Sequence, residues 1–147
     1  MQRLVVLMAL AGDQSAPFDI WIMRPDGTHL SRVTNEAARR SGLRRAVEPS
    51  WSPDGRRIVF VRQFSDRPDR LAVVSLAGRR ERALPVRGDT PAWGRPGITY
   101  AGRGGIMLLD PGSGHSAVFA ALRERVIALA WSSRGELAAL EGDLGER

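Results

Sequence analysis

The 147-residue sequence has no cysteine and no lysine, so all 22 of its basic residues are arginine. The lack of thiols excludes disulfides, thiolate metal sites and cysteine nucleophiles, and leaves the redox compartment unmarked. Aromatic residues are scarce at 6%. No apolar run approaches the roughly 20 residues that a membrane-crossing helix needs, because the longest, residues 4–11, ends at Gly12 and Asp13. No membrane span is expected. Catalytic signatures are equally thin. There is no Gly-x-Ser-x-Gly nucleophile elbow and no phosphate-binding Gly-x-x-x-x-Gly-Lys. Gly102-Arg103-Gly104-Gly105 lacks the third glycine of a dinucleotide fingerprint and reads as a tight turn.

What the chain does have is 43% apolar and 26% charged residues, the balance of one folded domain, with a net charge of +6. The arginine bias matches a GC-rich codon supply, so the basic pI alone argues weakly for nucleic acid. The organising feature is a repeat. Three tryptophans recur in similar settings: Pro49-Ser50-Trp51-Ser52-Pro53-Asp54-Gly55, Thr90-Pro91-Ala92-Trp93-Gly94 and Leu129-Ala130-Trp131-Ser132-Ser133-Arg134-Gly135. The 42 residues from Trp51 to Trp93 and the 38 from Trp93 to Trp131 are close to the ~40–45 residues of a four-stranded propeller blade.

Each tryptophan precedes a turn and a β-rich run, at residues 57–61, 97–100 and 136–140. In the first turn Pro53 presets φ, Asp54 bonds its own backbone and Gly55 accepts positive φ. A second hairpin follows in each unit: 19–23 with Arg24-Pro25-Asp26-Gly27, 71–75 with Ala77-Gly78, and 106–109 with Asp110-Pro111-Gly112. Outer strands at 30–34 and 80–84 alternate polar and apolar residues, as one wet face requires.

Asp19-Ile20-Trp21-Ile22-Met23-Arg24-Pro25-Asp26-Gly27 and the stretch from Pro49 through Phe60 resemble the WD-like repeat of TolB-type β-propellers. The resemblance covers nearly the whole chain. It is strongest at 51–60 and weakest at Trp93, where Gly94-Arg95-Pro96-Gly97 shortens the turn and an irregular blade is expected. The implied fold is all-β, a partial propeller of about 13 strands and a little over three blades. The single domain, 1–147, divides into units 1–45, 46–88, 89–125 and an incomplete 126–147. The resemblance implies a non-enzymatic scaffold that docks protein partners, in an extracytoplasmic setting if the family pattern holds. The alternative is an accessory or gating propeller of a larger prolyl-oligopeptidase-like serine peptidase.

Residues 4–8 align with 58–62 as a second blade strand, so the first blade is expected to lack its inner strand. The same run also has the outline of a very short signal peptide. Its continuation into Phe18-Asp19-Ile20-Trp21, paralleling 58–62 into Leu71, favours the strand. Closed propellers have about four to eight blades, so the open faces need a cover. A second copy completing the ring as a homodimer, a different polypeptide, or the rest of a longer chain would each supply one.

Because blade strands run alternately up and down, loops joining second to third strands share an end with the crossings between blades, while the Asp-Gly turns share the other. Most of the net positive charge falls on the first end. Arg39, Arg40, Arg44 and Arg45 cluster in 35–45, and Arg62, Arg67 and Arg70 in 62–70. These seven are the candidate partner-binding residues, and they suit an acidic protein partner. Nucleic acid ranks lower, since only Phe64 is interleaved for base stacking. No cofactor or metal is expected. His29 and His115 lie two blades apart at the rim, Asp26, Asp54 and Asp110 read as turn caps, and Trp51, Trp93 and Trp131 as wedges between blades.

Overall fold

The computed structural model of the chain describes residues 4–9, 17–36 and 44–142. Thirteen strands run among these described residues, and each sheet is an antiparallel meander in which sequence neighbours are spatial neighbours. Strands β1 (Leu4–Ala9), β2 (Phe18–Met23) and β3 (Ser31–Arg32) form blade 1. Strands β4 (Arg44–Trp51), β5 (Arg57–Phe64), β6 (Arg70–Ser75) and β7 (Glu81–Ala83) form blade 2. Blade 3 is β8 (Asp89–Gly94), β9 (Gly97–Gly102), β10 (Gly105–Leu109) and β11 (Ser116–Ala121), and β12 (Arg125–Trp131) pairs with β13 (Leu137–Gly142) in a fourth sheet. The architecture is a partial β-propeller, nearly all β, as the repeat implies.

The core lies between blades, and strand periodicity explains why. Successive side chains of a strand point to opposite faces. Along β5, Ile58 and Phe60 meet Ile20, Ile22 and Val33 of blade 1. Val59 and Val61 point the other way and join Trp93, Ile98, Tyr100 and Leu109 of blade 3. One apolar strand with no wet face thus stitches two interfaces. Full burial of a side chain such as Phe60 contributes on the order of 1.5–3 kcal/mol.

The turns follow their sequence chemistry. Ser52 Oγ donates to Asp54 Oδ1 (2.6 Å) and accepts from the Arg57 backbone N–H (2.9 Å), while the Arg56 N–H donates to Asp54 Oδ1 (3.0 Å). Ser132 caps the matching turn after β12 by accepting from the Arg134 and Glu136 N–H groups.

Blade 3 carries two irregularities, register shifts between Asp89 and Ala92 in β8 and between Ile106 and Met107 in β10. It keeps four strands, with Arg95 and Pro96 closing a two-residue turn onto Gly97. Gly97 has φ of +144°, and a Cβ there would lie 2.6 Å from the Leu109 carbonyl oxygen. Two boundaries differ from the sequence reading. Arg44 and Arg45 begin β4, paired with Phe64 and Gln63, instead of ending a loop. Glu141 belongs to β13, paired with Val126.

Candidate docking face

The meander places the β5–β6 and β9–β10 connections and the crossings between blades at one end of the molecule. The Ser-Pro-Asp-Gly turns and second hairpin turns lie at the other. We refer to these as the loop end and the turn end.

At the loop end, Arg39 and Arg40 lie outside the described residues, as does the rest of 37–43. Arg44 is placed by its backbone pairing at the start of β4. Arg45 is half-buried, its guanidinium carbon 4.9 Å from the ring centre of Phe18, and with Gln63, Phe64 and Ser65 it lines a small cavity of about 220 Å³. Arg67 is exposed, 4.2 Å from the Phe64 ring centre and 3.9 Å from Asp66 Oδ1. Arg70 is also exposed. The rings of Phe18 and Phe64 therefore hold two of these guanidiniums by cation–π contact.

Arg62 is a correction. It sits on the face of β5 turned toward blade 1, its side chain only 8% exposed. Its Nη2 donates to Glu36 Oε1 (2.9 Å) and Glu81 Oε2 (2.5 Å), and its guanidinium lies across Phe60. The even-numbered positions of β5 face the inter-blade core, so position 62 continues the stripe of Ile58 and Phe60. A charge there requires partners, and two carboxylates supply them. Arg62 is part of the packed junction between blades 1 and 2, beneath the loop end.

The same junction holds a network that the sequence reading missed. Asp19 Oδ1 accepts from Thr34 Oγ1 (2.8 Å) and the Glu36 N–H (2.8 Å), and Thr34 Oγ1 accepts from the Ile20 N–H (2.9 Å). Asp19, Thr34 and Glu36 are all buried. Their separation of some fifteen residues in sequence gives no local signal.

The remaining candidates fall at the turn end. His29 and His115 are exposed, and no group of three metal-type ligands occurs among the described residues. Asp26 accepts from the Thr28 hydroxyl and N–H, Asp54 from Ser52 and Arg56, and Asp110 from the Gly112 and Ser113 N–H groups. Those hydrogen bonds hold all three carboxyls below their ordinary range. Trp93 is buried beneath Arg57, and Trp131 packs across blade 3 with its Nε1–H donating to Thr99 Oγ1 (3.0 Å).

No protein-family model matches the chain. It is similar to the Tol-Pal system protein TolB of Nitratidesulfovibrio vulgaris (strain Hildenborough), 36% identical over 72 residues that cover 49% of this chain and 15% of that protein. It is also similar to the Tol-Pal system protein TolB of Rhizorhabdus wittichii, 40% identical over 81 residues covering 52% of this chain and 17% of that one. The chain therefore matches only about a sixth of the length of these curated relatives. Among solved structures, TolB from Acinetobacter baumannii superposes with a TM-score of 0.67 at 16% identity, covering 90% of this chain and 34% of that chain. The fold and the repeat define a partial β-propeller. Its repeats are of the TolB type.

Proposed function

We propose that the chain is a non-enzymatic docking module that presents the loop end of its blades to an acidic protein partner. One observation carries the reading: Arg67 and Arg70 on blade 2 and Arg103 and Arg123 on and after blade 3 are exposed together on this one end, where the loops between strands and blades meet. Complementary charge raises association rates and selects partners. The names of the relatives, which place them in the Tol-Pal system, agree with a role in a protein assembly.

The test is capture of binding proteins on immobilised chain, with Arg45, Arg67 and Arg70 together changed to glutamate. Capture should fall sharply and recover when the three reversed charges are moved to Arg80, Arg95 and Arg134 at the turn end. Equal capture by both variants removes the loop end from the reading.

A second reading, self-association, is favoured by one feature of the fourth sheet. Ala128, Ala130, Ala138 and Leu140 lie on one exposed face, with Leu140 57% exposed. Such a face normally packs against a neighbouring blade. A solution mass near twice 16.1 kDa by light scattering supports self-association, and a mass of 16.1 kDa excludes it.

A further inference from the structure

A cleft of about 470 Å³ opens at the loop end where blade 3 meets the fourth sheet, between the start of β8 and the start of β12. Its size falls within the roughly 300–1,000 Å³ of ligand sites. It exists because the β9–β10 connection is short. In blade 2 the corresponding strands are joined by residues 65–69, whereas in blade 3 only Arg103 and Gly104 separate β9 from β10. The space that a longer loop occupies is left open.

Glycine walls keep it open. Gly88, Gly102 and Gly105 all line the cleft. A Cβ on Gly88 would lie 2.5 Å from the Ala101 carbonyl oxygen, one on Gly102 would lie 2.6 Å from Met107 Cγ, and one on Gly105 would lie 2.5 Å from the Ala120 carbonyl oxygen. Close packing behind the wall thus leaves no room for side chains, and ligand groups can approach backbone directly.

The rim carries Arg103, Arg123 and Arg125 with Asp89 and Glu124. Asp89 is matched to Arg125, Oδ2 to Nη2 at 3.9 Å. Arg103 and Arg123 are exposed and have no ion-pair partner among the described residues. Two exposed guanidiniums on the rim of a glycine-walled cleft suit a carboxylate, since the guanidinium fork matches it, and Glu124 on the same rim limits the positive charge.

We infer that this cleft binds the side-chain carboxylates of an acidic peptide segment, held by Arg103 and Arg123, with Glu124 restricting how many carboxylates enter. The inference rests on the proposed docking role and assigns its anchor point. The experiment is fluorescence anisotropy of a fluorescein-labelled hexaglutamate peptide titrated with the full chain at low ionic strength. Binding should weaken at least about tenfold in the R103A/R123A variant. It should tighten about two- to fivefold in Glu124→Gln and weaken by less than about threefold in R95A/R134A, which removes the same charge from the turn end and so measures the long-range share at low salt. An R103A/R123A variant that binds as tightly as the wild type overturns the inference. So does free glutarate competing as well as the peptide per mole, because the cleft would then be a small-anion site. If binding instead depends on Arg67 and Arg70, the docking face stands and the cleft falls. If no loop-end change affects it, both fall.

Discussion

The backbone N–H of Thr90 donates to Glu48 Oε2 at 2.8 Å, and Thr90 is the residue 42 positions after Glu48 in the repeat. Both residues occupy the same place in their blades. Each sits in the bulge of an inner strand, between Val47 and Ser50 in β4 and between Asp89 and Ala92 in β8. Each has positive φ, 53° and 48°, and each precedes a proline, Pro49 and Pro91. The bulge withdraws the Thr90 N–H from the sheet ladder, and the preceding blade's bulge residue satisfies it. One position further in register, the Trp93 N–H donates to Ser50 Oγ at 3.0 Å. The inner strands of adjacent blades are thus joined by the same irregularity that interrupts each of them.

Glu48→Ala should therefore cost about 1 kcal/mol, since it leaves a backbone donor without its carboxylate acceptor in a half-open site. Glu48→Gln should retain most of the stability, because an amide oxygen can accept the same bond. Thermal melts of the two variants separate them: alanine lowers the midpoint by a few degrees, glutamine by much less.

Arg62 supports a larger prediction. Glu36 is fully buried at its side chain, and its Oε2 has no hydrogen-bond partner among the described residues, so Arg62 is its chief compensation. Arg62→Ala leaves that carboxylate buried opposite nothing and should destabilise by about 3–5 kcal/mol. The combination R62M/E36Q/E81Q removes the charges together and should recover most of the loss. Urea midpoints test the pair. Equal stability of both variants would mean that the ion pairs contribute only packing.

Turn-end acidity predicts a pH dependence. Asp26, Asp54 and Asp110 are each held below the ordinary 3.8 by hydrogen bonds, from Thr28, Ser52 and Gly112 foremost. A folded pKa below the unfolded one gives stability that is present at neutral pH and lost as pH falls through the folded value. In a D26N/D54N/D110N variant each position keeps a neutral acceptor and cannot titrate. Unfolding free energies of wild type and variant should differ most at about pH 5–7, begin to approach near pH 4 and converge only below the lowered folded values. Parallel curves would show that the turns do not contribute to acid sensitivity.

How much of this was readable beforehand depended on the range of the interaction. Strand and turn positions are local, and Ser52, Pro53, Asp54 and Gly55 specify their turn within four residues, so the blades emerged from the repeat. The split of β5 into two interfaces was implicit in its unbroken Ile58-Val59-Phe60-Val61 run, which leaves no wet face. The candidate site was less legible. Arg62 lies beside Gln63 and Phe64 in sequence and looks like a loop cation, yet its parity with Ile58 and Phe60 turns it inward. Only the distant carboxylates Glu36 and Glu81 make that tenable, and sequence does not reveal such pairing. Arg103 was visible but its cleft was not, because empty space results from a missing loop and from what packs behind the glycines.

The weakest link of the repeat has a physical cause that can be tested. Gly94 stands where blade 2 has Ser52 and the fourth sheet has Ser132, both of which cap their turns. Trp131 occupies that space, and a Cβ on Gly94 would lie 2.5 Å from its Cδ2. The ring is held by the Thr99 hydroxyl, which accepts from its Nε1–H and itself donates to the Ala92 carbonyl at 3.1 Å, and by an edge contact with Phe119 at 6.0 Å. It cannot retreat without losing these contacts. Gly94→Ala should therefore destabilise by about 1–3 kcal/mol through overpacking, although alanine is ordinarily the better strand residue. In a Trp131→Leu background the same substitution should cost much less, because the ring it strikes is gone. A double-mutant cycle from urea denaturation measures the coupling, and additive effects would show that the glycine at this turn is required by its own backbone and not by the tryptophan of the next blade.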